Sequence, residues 1–242
     1  MLEDIMASMH TTAKTLNVAI IGGHTEVTPG LGRPIIIGFM LGIAEDAAYV
    51  TSANAQPDNS LILTKGVAIE GTAILATERA NDLRPKLAEN VIERAQLFIN
   101  QLSVVPEAME AMKTRAVTAM HDPTEGGIAN GIHEMADASG VGFIVDRGAL
   151  IIHEETRHIC QVLEIDPLNL IASGAMLIAV DRNKANSVID VLQKAGIPAA
   201  TIGRLVEDPK IRNIIEPDGS IRPLPQPRED ALWNALTKSV KQ

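Results

Sequence analysis

The sequence predicts an α+β fold with a mixed sheet, and three features lead there. Short apolar runs of strand type are interspersed with helical periodicity, but the two do not alternate strictly. Asp218-Gly219 reads as a hairpin turn between two late strands. An apolar content of 46% over 242 residues is ample for one large core or two smaller ones.

From the N-terminus, Leu2, Ile5, Met6, Met9, Ala13 and Leu16 fall at helical spacing and predict a helix over 2–16. A strand over Val18–Ile21 and the pair Gly22-Gly23 follow, then a second strand over Pro34–Ile43. The stretch Thr51–Ser60, rich in Asn, Pro, Asp and Ser, predicts a domain boundary. Beyond it, Leu61–Thr64 reads as a strand, Ile69–Arg79 as a helix, and Glu89–Gln101 as a helix with Val91, Ala95, Phe98 and Leu102 on one face. A third helix covers 104–112.

Strand Ala116–Met120 then runs through a glycine turn into helix Gly127–Ala138, whose Ile128, Ile132, Met135 and Ala136 form an inward stripe. Strands over 141–145 and 176–180 flank a helix over 154–163. Helix 184–195 turns Ala185, Val188, Ile189 and Leu192 to the core, and strands 199–206 and 212–215 complete the sheet. Pro223–Pro227 connects to a last helix over 229–240.

A net charge of −9, 2% aromatic residues and no cluster of Lys or Arg argue against a nucleic-acid surface. Cys160 is the single cysteine, so an internal disulfide and a cysteine-based zinc site are excluded, which fits a reducing compartment. No apolar run reaches the roughly 18 residues of a membrane span, and Glu3 and Asp4 stand where a signal peptide would be basic. The expectation is a soluble, cytoplasmic protein.

Four motifs carry possible chemistry. His121-Asp122-Pro123-Thr124-Glu125-Gly126-Gly127 joins a strand to a helix start, where free backbone N–H groups and the helix dipole favour an anion and glycine lets it approach. The same residues also suit plain capping, with Asp122 or Thr124 accepting from free N–H groups and the glycines allowing close packing. Gly22-Gly23-His24-Thr25-Glu26 repeats the chemistry after a strand, or is a strand-end turn.

In Lys65-Gly66-Val67-Ala68-Ile69-Glu70-Gly71-Thr72, Lys65 could pair with a phosphate and Glu70 could hold a divalent ion. Equally, Lys65 could be solvated and Glu70 a dipole partner. Ala172-Ser173-Gly174-Ala175 leads into a strand and is weak alone. His133-Glu134 lacks the second histidine of a metalloprotease motif, and His153 and His158 share no helix face well, so these read as structural or surface features. The glycine loop of a P-loop NTPase, the nucleophile elbow and the dinucleotide fingerprint are all missing.

Gly22 to Glu26, Leu63-Thr64-Lys65-Gly66 with Glu70-Gly71, His121 to Gly127, and Ile171-Ala172-Ser173-Gly174 stand in the order found in the aminoimidazole ribonucleotide (AIR) synthase superfamily. The chain most resembles the AIR synthase-related branch, which is similar to the hydrogenase expression/formation protein. The resemblance implies a partial AIR synthase-like N-terminal domain over 1–57 and an AIR synthase-like C-terminal α+β domain over 58–210. Residues 211–242 would form an extension with a hairpin and a short helix.

It also implies a homodimer that binds ATP with Mg²⁺ and activates a small substrate by phosphoryl transfer, a reaction that depends on positioning and charge neutralisation. By resemblance, Gly22, Gly23, His24, Thr25, Lys65, Gly66, Thr124, Gly126, Gly127, Ser173 and Gly174 would contact the nucleotide. Glu26, Glu70 and Asp122 are the candidate metal ligands, and Lys65 and Asp122 the candidate catalytic residues. No membrane or nucleic-acid partner is expected.

Two departures bear on activity. The upstream half of the family's first domain, with its Asp-rich metal-binding motifs, has no counterpart ahead of Leu2, so reduced Mg·ATP binding is an expectation. The sequence printed ends Lys238-Ser239-Val240-Lys241-Gln242 without the cysteine that the maturation factor carries there, so that factor's terminal-thiol reaction is not expected. The alternative function is a non-catalytic assembly or regulatory subunit that keeps the fold without the Mg·ATP site.

Overall fold

The computed structural model describes residues 1–44 and 49–237, which form two compact units, Met1–Tyr49 and Val50–Gln242. In chain order the helices are α1 (Leu2–Thr15), α2 (Ile69–Glu78), α3 (Ala80–Leu83), α4 (Glu89–Gln96), α5 (Val105–Lys113), α6 (Gly127–Ser139), α7 (Glu154–Leu163), α8 (Ala185–Lys194) and α9 (Ala231–Thr237). The strands are β1 (Ser60–Thr64), β2 (Val117–His121), β3 (Gly142–Asp146), β4 (Leu177–Val180), β5 (Ala199–Val206), β6 (Arg212–Ile215) and β7 (Ile221–Pro223). The fold is α+β, as the sequence predicts. Residues 238–240 of the expected last helix, and the terminal Lys238–Gln242, lie outside the described residues.

All seven strands belong to the second unit and form one sheet in the order β2-β4-β1-β5-β3-β6-β7. Every neighbouring pair is antiparallel except β3 with β6, which makes the sheet mixed. Side chains alternate across a strand, so successive residues of a central strand enter different layers. Leu61, Leu63, Leu177 and Ala179 join the large core under α2, α4, α6, α7 and α9, whereas Ile62, Ile178 and Val180 pack with Ala111 of α5 and Val188 and Leu192 of α8. With both faces covered, β1 is apolar from Leu61 to Leu63 and buried at every position.

The segment beyond residue 210 is built into this architecture. β6 pairs parallel with β3, β7 closes on β6, and Leu232 and Ala235 of α9 are in the core.

In the first unit α1 forms with no buried residue. The expected strands over Val18–Ile21 and Pro34–Ile43 do not form among the described residues: neither run makes the backbone ladder that a strand requires. Their apolar side chains stand in solvent; Ile37 is 90% and Phe39 88% exposed. Among the described residues no helix is long and apolar enough to cross a membrane.

Candidate functional site

The turn between β2 and α6 is built on glycine for a steric reason. Gly126 (φ +75°) and Gly127 (φ +66°) occupy the left-handed region in succession, and a Cβ at Gly127 would lie 2.4 Å from the Leu168 carbonyl oxygen and 2.6 Å from that of Leu170. The turn is thus pressed against the chain that leads into β4. Thr124 O accepts from Gly127 N (3.1 Å) and from Ala172 N (3.2 Å), stitching the two segments together.

Gly126 N–H donates to Asp230 Oδ2 at 2.6 Å, and Asp230 Oδ1 accepts from Ile171 N (3.2 Å) and from Leu232 N (2.7 Å). The expectation that Gly126 and Gly127 offer free amides to a phosphate is therefore corrected. One N–H is taken by a carboxylate of the same chain and the other by a local carbonyl. Sequence reasoning gives Asp230 no role, since it falls inside the helix expected over 229–240; the structure starts α9 at Ala231 and leaves Asp230 ahead of it.

The opposite side of the Ile171–Gly174 segment holds the start of α2. Glu70 N donates to Ser173 O (3.2 Å) and Gly71 N to Ile171 O (3.1 Å), while Gly174 (φ +101°) packs on Ile69. Three of the four motifs therefore meet along one ridge, Leu170–Gly174, with Glu70-Gly71 on one flank and Thr124–Gly127 on the other. Asp122 and Thr124 are exposed there and Ser173 is half-buried. Glu70 Oε2 is buried with no hydrogen-bond partner, an oxygen of the kind a divalent cation would satisfy. Among the described residues no three His, Cys, Asp or Glu side chains are gathered to hold a metal, so any Mg²⁺ here would take few protein ligands and its remaining ones from phosphate and water.

Lys65, expected at the nucleotide, is bonded within the protein. Its ammonium donates to Gln101 O (2.7 Å) and Ser103 O (2.8 Å) and pairs with Glu107 Oε1 (2.8 Å), so all three protons are spent inside the protein. Lys65 is 11% and Glu107 1% exposed. Thr64 Oγ1 also donates to Glu107 Oε1 (3.3 Å) while accepting from Met176 N (3.0 Å). The loop after β1 is strained to make this joint, with Lys65 (φ +54°) and Ala68 (φ +56°) both left-handed. Gly66 cannot carry a side chain, since a Cβ would sit 2.9 Å from the His153 ring, whose Nε2 lies 3.0 Å from Lys65 O.

The fourth motif belongs to the first unit. Gly22 and Gly23 have open space around them, His24 Nε2 lies 3.5 Å from Glu26 Oε2, and Thr28 Oγ1 donates to Glu26 Oε1 (3.3 Å). Thr25 is exposed.

Among the histidines, His121 joins a polar chain at the glycine turn. Ser52 Oγ lies 2.9 Å from its Nδ1, and its Nε2 donates to Glu134 Oε2 at 2.8 Å. Asn130 Nδ2 in turn donates to Glu134 Oε1 and to Glu125 O. His133 is a core residue, bonded to Leu224 O (2.9 Å) and edge-on to Phe143; burial holds its pKa below the usual histidine value. Burial likewise pushes the Cys160 thiol up to about 12, far from any nucleophile's range.

A mixed seven-stranded sheet flanked by helices, with glycine and acid motifs gathered at the ends of β1, β2 and the loop before β4, defines the class as an AIR synthase-like α+β domain. Residues 56–216 match the family model for the AIR synthase related protein, C-terminal domain. The chain belongs to that family.

Over 213 residues it is 30% identical to a putative hydrogenase expression/formation protein of Methanocaldococcus jannaschii, covering 86% of this chain and 60% of the relative. It is 29% identical over 219 residues to carbamoyl dehydratase HypE of Escherichia coli, covering 87% and 61%. The chain therefore spans about three fifths of the length of these relatives. The crystal structure of E. coli HypE superposes with a TM-score of 0.73 at 25% identity, over 95% of this chain and 69% of that one. A structure described as HypE in complex with ATP shares the fold at 20% identity, with a TM-score of 0.71 over 96% and 70%.

Proposed function

We propose that this protein binds ATP with Mg²⁺ and uses it for phosphoryl activation of a small substrate in a maturation reaction of the hydrogenase expression/formation type. The observation that carries the reading is the meeting of three separate motifs on the Leu170–Gly174 ridge. Asp122 and Thr124 are exposed and Ser173 is half-buried there, the Thr124 hydroxyl donating to Asp122 O (3.2 Å), and Glu70, whose backbone is bonded to the ridge, has a buried Oε2 without a hydrogen-bond partner. One relative is named a putative hydrogenase expression/formation protein, the solved E. coli HypE is described as a hydrogenase maturation protein, and a neighbour of the same fold was solved with ATP.

In this reading Glu70 and Asp122 hold the cation, and Thr124 and Ser173 supply hydrogen bonds to the phosphates or to the substrate. The metal neutralises charge on the transferring phosphoryl group when bound. Residues 22–26, in the first unit, carry glycines and an acid of the same chemical kind. That unit's uncovered apolar residues associate with a second copy, making a cytoplasmic homodimer. Calorimetry with Mg·ATP tests the reading. The wild-type chain binds, and Asp122→Ala weakens binding at least tenfold, or about 1.4 kcal/mol; no binding by the wild type refutes it.

A second reading, a non-catalytic assembly or regulatory subunit, draws on the internal use of Lys65 and of the Gly126 amide. A purified chain that turns over ATP, with turnover lost in Asp122→Ala, rules it out.

A further inference from the structure

Asp230 is only 4% exposed, yet its carboxylate does more than cap the helix it precedes. Leu232 N supplies the bond an ordinary cap would make. The other two bonds come from Gly126, 104 residues away, and from Ile171, 59 residues away. A carboxylate that accepts N–H groups at a helix start is making the contacts a phosphate or sulfate would make there. Gly126 and Ile171 lie on the two segments whose spacing sets where Thr124 and Ser173 stand.

The rest of the C-terminal segment delivers this group. Leu224 O accepts from buried His133, Gln226 donates to Asn130 Oδ1, Arg79 donates to Ala235 O, and Leu232 is in the core.

We propose that Asp230 is an internal anion at the glycine turn and a positioning residue for the ridge, holding Thr124–Gly127 and Ile171–Gly174 at one spacing in the place an external phosphate would otherwise take. Nucleotide phosphates accordingly bind to the outer groups of the ridge and not to the Gly126 amide. That last point rests on the nucleotide reading given above; the anion position does not.

The experiment uses the full chain as wild type, Asp230→Ala and Asp230→Asn, melted in sodium sulfate and in sodium chloride of matched ionic strength. Asp230→Ala melts several degrees lower, and sulfate in the millimolar range restores part of the loss saturably. The wild type and Asp230→Asn, whose side chains fill the position, show only the small parallel rise that sulfate gives any protein. A parallel response of all three overturns the proposal.

Should Asp230→Ala fail to fold, amide spectra of Asp230→Asn decide. The Gly126 and Ile171 signals move, and those of Ala172 and Ser173 move with them; shifts confined to Leu232 and its helix mean a simple cap and overturn it. Where the wild type binds Mg·ATP, Asp230→Asn binds it about tenfold more weakly, and equal affinity overturns the positioning role. A wild type that binds no Mg·ATP refutes the nucleotide reading alone, since the sulfate and amide results still decide this one.

Discussion

The two units of the chain use similar sequence material to opposite ends. Val18–Ile21 and Pro34–Ile43 in the first are as apolar as Leu61–Leu63 and Leu177–Val180 in the second, yet only the latter become strands. Leu61 and its neighbours find β4 on one side and β5 on the other, with helices over both faces; Ile37 and Phe39 find no ladder and stand in solvent. The difference teaches that an apolar run fixes a tendency, and a partner edge decides the outcome.

The sharpest way to press the comparison is to break the buried joint of the second unit. Glu107→Ala strips Lys65 of its charge partner and Thr64 of an acceptor, and denaturant unfolding should show a loss of about 3–5 kcal/mol, the cost of leaving one buried charge alone. Next come two glycines of similar sequence context. Gly127→Ala places a Cβ against two carbonyl oxygens at a positive φ and should cost about 2–3 kcal/mol, whereas Gly23→Ala, with nothing nearby, should leave the melting curve unchanged.

A smaller effect comes from pH. His133 has its pKa lowered from 6.5 by burial and by the nearby Arg212 guanidinium, against the opposing pull of the Leu224 carbonyl and Asp137. The folded state thus binds the proton less readily than the unfolded one. Its contribution to stability is complete above about pH 6.5 and is lost as pH falls from there through the folded pKa. His133→Gln should flatten that part of the stability-against-pH curve.

The smallest expected change in stability is that of Ile37→Ser, within about 0.5 kcal/mol. Light scattering, however, should show weaker self-association; a variant that melts much earlier would mean the first unit buries this residue after all.

Much of the second unit was legible because its signals are local. Helix α8 declares itself through Val188 and Leu192, both buried, and β5 begins and ends as its pattern predicts. The order strand, glycine turn, helix around Gly126 was equally plain. What could not be read were pairings set by distant chain. Lys65 looked like a phosphate ligand because its acceptors, Gln101 O, Ser103 O and Glu107, lie 36 to 42 positions downstream in an unremarkable stretch. Asp230 gives no signal in the sequence because the amide it holds is 104 residues upstream. At 18–21 and 34–43 an apolar run of strand type makes no ladder among the described residues, so the local pattern alone does not decide the outcome.

The state of Cys160 has a practical use. With its thiol pushed up to about 12 and its sulfur buried, Cys160 is held in the unreactive thiol form at neutral pH. The native protein is thus nearly silent toward maleimides. A cysteine placed at an exposed position such as Thr25 or Asp122 would be the single reactive handle, so that a dye at either point reports on one unit at a time without first removing the native thiol.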